Sequence, residues 1–269
     1  MTHARAKRSL GQNFLVDQNL QKKIVRALGA GLDDEVLEIG PGRGALTQHL
    51  VGQVGRLLLV ELDDALADAL VQRWGDRDDV AVVHGDVLDV PREDHLSDAS
   101  HALVIGNIPY NITTPIIFRL LERPRPHDII LMVQAEVADR IVAPVGSKAY
   151  GALSVGVRSV ANAERLFKVS RGAFRPVPGV DSAIIRITPT RPEPLDAVSE
   201  ERLRRLVRAA FQWRRKQLRR ILRDHPEIAA SEETVLAATA AAGVAPEDRP
   251  ERLTPEQFIS LSDALFQQK

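Results

Sequence analysis

The sequence predicts an α/β fold: a Rossmann-like, mostly parallel sheet covered by helices, followed by a small all-helical domain at the C-terminal end. Three observations carry this reading. Short β-branched runs alternate with helical patterns as far as Pro189. A glycine-rich turn, Gly40-Pro41-Gly42-Arg43-Gly44, directly follows an early strand run. After Pro189-Thr190-Arg191-Pro192-Glu193-Pro194, three prolines in six residues, strand patterns stop and Ala/Leu/Arg-rich helical patterns take over.

Taken in order, a helix is expected from Asp17 to Leu28, capped by Asp17 and stopped by Gly29. Strands follow at Glu35 to Ile39, Arg56 to Glu61, Val80 to His84, Ala102 to Gly106, Ile129 to Val133 and Ala183 to Thr188. Helices fall between them near Leu46 to Val51, Asp64 to Trp74 and Thr114 to Leu121. The proline cluster sets a domain boundary, giving domains 1–190 and 191–269. Thr254-Pro255-Glu256-Gln257 has the form of a capping box and opens a last helix through Ala264.

A chain of 269 residues, 44% hydrophobic, fits one large domain with a small appendage. The absence of cysteine excludes disulfides and thiolate metal sites, and seven scattered histidines suggest no metal centre. Met1 to Gly11 lacks the apolar run of a signal peptide, and no stretch has the roughly 18 apolar residues of a membrane span. A cytoplasmic protein, without metal or membrane partner, is expected. The charge balance of 36 basic against 36 acidic residues hides segregation. Arg202 to Arg223 holds ten Arg/Lys and no Asp/Glu, which leaves 26 basic against 36 acidic residues elsewhere.

In the glycine turn the backbone can approach a ligand closely at a helix N-terminus. Gly40, Gly42 and Ala45 also satisfy Gly-x-Gly-x-x-Ala, so a dinucleotide site is a rival. Glu61, at the second strand's end, is placed to accept hydrogen bonds from both hydroxyls of a ribose, which suits NAD and S-adenosylmethionine equally. Asp86, after the third strand, is placed to accept from an adenine amino group. Alone it reads better as a turn cap; beside Glu61 the balance reverses.

The fourth strand ends in Asn107-Ile108-Pro109-Tyr110. Adenine's N6 lone pair is delocalised into the ring and attacks a sulfonium methyl poorly. Two acceptors on its amino hydrogens, the Asn107 amide oxygen and the Ile108 or Pro109 carbonyl, favour a localised pair. Pro109 supplies rigidity and Tyr110 a stacking face. An isolated Asn-x-Pro-Tyr is as readily a strand end and turn, but here it meets the glycine turn, Glu61 and Asp86 at one sheet edge.

At this point the chain closely resembles the KsgA-type ribosomal RNA adenine dimethyltransferases, along nearly its whole length. Ser9-Leu10-Gly11-Gln12-Asn13-Phe14-Leu15 is similar to that family's N-terminal motif, and Met132 to Val137, Ser147 to Gly151 and Phe174 to Ser182 are similar to longer family blocks. The resemblance implies a class I methyltransferase fold using S-adenosylmethionine. It implies cofactor contacts from Asn13, Leu15, Gly40, Glu61, Asp86 and Asn107, and a Phe174 that grips the flipped target adenine opposite Tyr110. It further implies dimethylation of two adjacent adenosines in 16S rRNA of an assembling small subunit, with a monomer as the working expectation. Ile108 departs from the usual leucine and matches the erythromycin-resistance methylases, which makes 23S rRNA a rival target.

The apolar positions from Leu203 to Leu222 suggest helix with one buried stripe. Arg214 would fall inside that stripe at about 100° per residue, so a break is expected between Gln212 and Arg214. Arg214, Arg215 and Lys216, with Arg219 and Arg220, then form an RNA-phosphate surface, since an unrelieved positive run is stabilised by a polyanion. Domain 1–190 is accordingly read as catalytic and 191–269 as RNA-binding. Should that cluster serve folding instead, the RNA surface is to be sought elsewhere, around Arg5, Lys7 and Arg8. Two further rivals are an NAD-dependent dehydrogenase, which leaves Asn107 to Tyr110 unexplained, and an assembly or transcription factor without turnover.

Overall fold

The computed structural model describes residues 12–266; Arg5, Lys7, Arg8 and Ser9 to Gly11 lie outside them. The chain runs β1 (Phe14–Leu15), α1 (Gln18–Leu28), β2 (Glu35–Ile39), α2 (Thr47–Leu50), β3 (Arg56–Glu61), α3 (Asp64–Trp74) and β4 (Val80–His84). It continues through β5 (Leu103–Asn107), α4 (Thr113–Leu120), β6 (Asp128–Gln134), α5 (Ala135–Ile141), α6 (Ala152–Arg158), β7 (Ala161–Val169), β8 (Phe174–Arg175) and β9 (Ser182–Pro189). Four helices follow: α7 (Ala197–Gln212), α8 (Leu218–Asp224), α9 (Glu232–Ala241) and α10 (Pro255–Phe266).

The main sheet has the order β4-β3-β2-β5-β6-β9-β7. β2 pairs in parallel with β3 on one side and β5 on the other, and β9 returns antiparallel to β6. The chain therefore reverses direction across the sheet between β2 and β5, and a crevice opens at the carboxyl ends of these strands. Val36, Leu37, Leu58, Leu59, Ile105 and Ile130 are all buried to 0% exposure, which is why the central strands read as continuous apolar runs.

Local chemistry fixes the helices around this sheet. Asp17 caps α1 by accepting from the Leu20 N–H, and Gly29 ends it in the left-handed conformation. Asp63 caps α3 through the Ala65 and Leu66 N–H groups. Gly44, at φ +77°, lies against the Trp74 indole, where a Cβ would stand 2.2 Å from ring carbon Cη2.

Two compact units are present. One comprises the described residues up to Ala138 with Glu164–Pro189; the other comprises Asp139–Ala163 and the described residues from Thr190 onward. The expected single cut after residue 190 is thus corrected, because Asp139–Ala163 belongs with the helices. Ala143, Tyr150 and Val155 share a core with Leu203, Leu206, Phe258 and Leu261, and the Tyr150 hydroxyl donates to the Leu253 carbonyl at 2.8 Å. Within this unit the break between α7 and α8 falls where expected, from Trp213 to Gln217. Thr254 and Gln257 form the reciprocal capping box of α10 at 3.2 and 3.0 Å.

Candidate active site

The crevice is organised by Glu61. Gly40 and Gly42 adopt φ +62° and +60°, and the Gly42 N–H donates to Glu61 Oε2 at 2.9 Å. Glu61 Oε1 accepts the Asp63 N–H at 3.0 Å, so one carboxylate joins the glycine turn to the start of α3. Burial pushes its pKa up, while these two N–H donors pull it back.

A short strap, Gln12 to Leu15, crosses this edge. Gln12 Nε2 donates to Asp63 Oδ2 at 3.1 Å, and Asn107 Nδ2 donates to the Asn13 carbonyl at 3.1 Å. Gln21, 4% exposed, donates to the Leu15 carbonyl at 3.0 Å. The Phe14 ring lies so close to Gly42 that a Cβ there would touch it at 3.4 Å. Two adjoining lobes, about 240 and 180 Å³, share Gln12, Gly40, Glu61 and Pro109. Asn13, Leu15, Gly42, Asn107 and Tyr110 line the first, and Asp86 and Val87 the second. Every residue expected to contact cofactor therefore lines one crevice. Asp86 also serves the plainer role weighed for it, since its Oδ1 accepts the Leu88 N–H at 2.9 Å.

The Asn107-Ile108-Pro109-Tyr110 segment links β5 to α4. Donation to Asn13 commits the nitrogen of the Asn107 amide and leaves its oxygen for another donor. The Pro109 carbonyl accepts from the Ile112 N–H at 3.3 Å and the Thr113 hydroxyl at 3.2 Å. Among the described residues nothing donates to the Ile108 carbonyl, so of the two carbonyls considered it is the one left for a ligand. Tyr110 is half-buried and its hydroxyl lies 2.6 Å from Ser182 Oγ; burial raises its pKa.

Phe174 requires a correction. It has 0% exposure and sits in the hydrophobic core with Leu15, Ile24 and Ile184, because β8 pairs with β1 and places Phe174 opposite Leu15. It presents no face to a base in this conformation. Glu38 was missed as a site residue: it lines the first lobe at 2% exposure, accepts from the Thr47 hydroxyl at 2.7 Å, and burial pushes its pKa up to about 8, with the Glu61 charge adding to the rise. Its position two residues before Gly40 was the available signal.

In the helical unit, Gln212 to Lys216 and Arg220 line a cavity of about 350 Å³. Several of the basic residues expected to face phosphate have partners within the protein, because acids and carbonyls from outside the run accept hydrogen bonds from them or form ion pairs with them. Arg214 donates to the Lys148 and Ser147 carbonyls at 3.1 and 3.3 Å and pairs with Glu251 at 3.5 Å. Arg219 pairs with Glu232 at 2.6 Å and Arg220 with Asp224 at 3.8 Å. Arg215 and Lys216 are exposed, and their side chains have no partner among the described residues. No cluster of three or more metal-ligating side chains occurs among the described residues.

A family model described as ribosomal RNA adenine dimethylase matches residues 3–267. The chain belongs to the ribosomal RNA adenine dimethylase family. It is 44% identical to the ribosomal RNA small subunit methyltransferase A of Nitratidesulfovibrio vulgaris, over 97% of each chain. A dimethyladenosine transferase from Plasmodium falciparum superposes with a TM-score of 0.77 at 25% identity, covering 92% of this chain and 95% of that one. The 23S rRNA methyltransferase ErmE superposes at 0.72 with 29% identity, covering 94% and 99%. The dimethylase is therefore an enzyme with the class I methyltransferase fold, and the dehydrogenase and non-catalytic readings fall.

Proposed function

We propose that this dimethylase transfers methyl groups from S-adenosylmethionine to the N6 amines of two adjacent adenosines in 16S rRNA, in an assembling small ribosomal subunit in the cytoplasm. The observation that carries the chemistry is the Asn107 amide, held through its nitrogen by Asn13 and so presenting an oxygen at the crevice. The small-subunit target is supported by a 44% identical relative named for that subunit, against 29% identity to the 23S enzyme.

The crevice suits such a cofactor. Glu61 offers a buried carboxylate for a ribose diol, Asp86 an acceptor for an adenine amine, and the left-handed glycines a close backbone approach. When bound, the cofactor supplies an electrophilic methyl on a positive sulfur. The Asn107 oxygen and the Ile108 carbonyl then accept the two amino hydrogens of the target base, localising its lone pair toward that methyl. Tyr110 stacks on the base. Orientation and electrostatics carry the rate, and the amine releases its proton to water once alkylation begins.

The test is to incubate the protein with labelled cofactor and undermethylated small or large subunits, then identify the modified nucleoside. Dimethyladenosine in the small subunit is expected. Label confined to the large subunit would transfer the target to 23S rRNA, and no label in either would overturn the reading.

A further inference from the structure

Ser182 closes the block Phe174 to Ser182. It lies at the first position of β9, opposite Gln134 of β6, with 0% exposure. Among the described residues its side-chain partner is the Tyr110 hydroxyl, at 2.6 Å. A buried hydroxyl demands a partner, and a phenol at a crevice wall is free to tilt unless its far end is held.

We infer that Ser182 is a positioning residue: its hydrogen bond pins the Tyr110 ring from behind, so that the crevice presents a fixed plane on which the target base stacks. This rests on the reading of the crevice as a base-modifying site. β5 and β6 are adjacent parallel strands and β9 pairs with β6, so Tyr110, just past β5, and Ser182 are held by one rigid sheet edge. Pinning the ring before the base arrives removes an ordering cost that would otherwise oppose stacking. The consequence is greatest for a second methylation, because a monomethylated base that leaves a loose platform between transfers escapes as product.

The test compares Ser182→Ala, Ser182→Thr, Tyr110→Phe and the Ser182→Ala/Tyr110→Phe double variant. Ser182→Ala is expected to lower kcat/KM for the RNA substrate about threefold to tenfold, the size that one neutral hydrogen bond controls. It should also raise the ratio of monomethyl to dimethyl product and leave calorimetric affinity for S-adenosylmethionine unchanged. Ser182→Thr keeps the hydroxyl and should restore both values. In the Tyr110→Phe background, Ser182→Ala should add nothing, since the partner is already gone. Independently of activity, the protein has two tyrosines, and one ¹³Cζ tyrosine resonance should move in Ser182→Ala. Equal losses from Ser182→Ala in both backgrounds would make Ser182 a packing residue and overturn the proposal, as would unmoved tyrosine resonances. If Ser182→Ala does not fold, Tyr110→Phe alone must reproduce the product ratio shift or the proposal fails. An inactive wild-type protein whose resonance still moves would count against the base-modifying reading and not against the bond.

Discussion

Asn107 and Asn13 are 94 residues apart in sequence and joined by one hydrogen bond, from the Asn107 side-chain nitrogen to the Asn13 carbonyl. The bond orients the amide and ties down the strap at once. Asn107→Ala should lower the single-turnover rate at saturating cofactor by roughly 10²- to 10³-fold, as loss of a transition-state hydrogen bond does. Asn107→Asp retains acceptor oxygens but cannot donate to Asn13, so it should weaken cofactor binding more than a pure acceptor loss would. An alanine variant within about twofold of wild type would remove Asn107 from the chemistry.

Glu61 is held by two N–H groups and must be ionised to accept from a ribose diol at full strength. Glu61→Ala should weaken S-adenosylmethionine binding markedly by calorimetry. Burial has already raised the Glu61 pKa, so wild-type affinity should fall with decreasing pH from above the ordinary carboxylate range. A Glu61→Gln variant should bind weakly and lack that pH dependence.

Glu38 binds its proton more tightly in the folded chain, with a pKa of about 8 against an ordinary 4.5. Between those values the native state holds more protons than the unfolded chain, so stability attributable to Glu38 is complete below about 4.5 and is lost as pH rises toward 8. Glu38→Gln keeps the shape without the titration. Thermal midpoints of wild type and variant should therefore diverge in favour of the variant as pH rises through this window, and parallel curves would refute the assignment.

Arg215 and Lys216 are the cations of the basic cluster whose side chains have no partner among the described residues, whereas Arg214 holds the Ser147–Lys148 loop. Replacing Arg215 and Lys216 with glutamine should reduce the log–log salt slope of RNA binding by about one to two units, with cofactor affinity unchanged. Arg214→Gln should instead lower thermal stability. Filter binding across a salt series distinguishes the two.

Much of the sheet was legible because the central strands Glu35–Ile39 and Arg56–Glu61 are buried along nearly their whole length; they and the β-branched edge strand Val80–His84 have the bounds read from the sequence. The helix Asp64–Trp74 does too, its cap and periodicity both being local. β7 escaped notice. It forms the sheet's edge, and Asn162, Glu164, Arg165 and Lys168 are exposed along it, so it lacks a strand's apolar signal. In the crevice, the strand-end carboxylates and Asn107 followed from topology, but the burial of Phe174 and the tethering of Arg214 depend on partners far away in sequence, Leu15 and Ser147 among them. Nothing in a local pattern announces such partners.

The excursion Asp139–Ala163 also sets a timetable for synthesis. Tyr150 precedes its hydrogen-bond partner Leu253 by 103 residues. At about 5 to 20 residues per second, a ribosome needs about 5 to 20 s to make that stretch. Throughout that interval Tyr150 and Val155 lack the helices that bury them, and the nascent chain carries an apolar segment exposed to aggregation. A polypeptide ended at Pro189 would carry it permanently, so expression trials of an isolated catalytic fragment should yield insoluble protein unless 139–163 is replaced by a short polar linker.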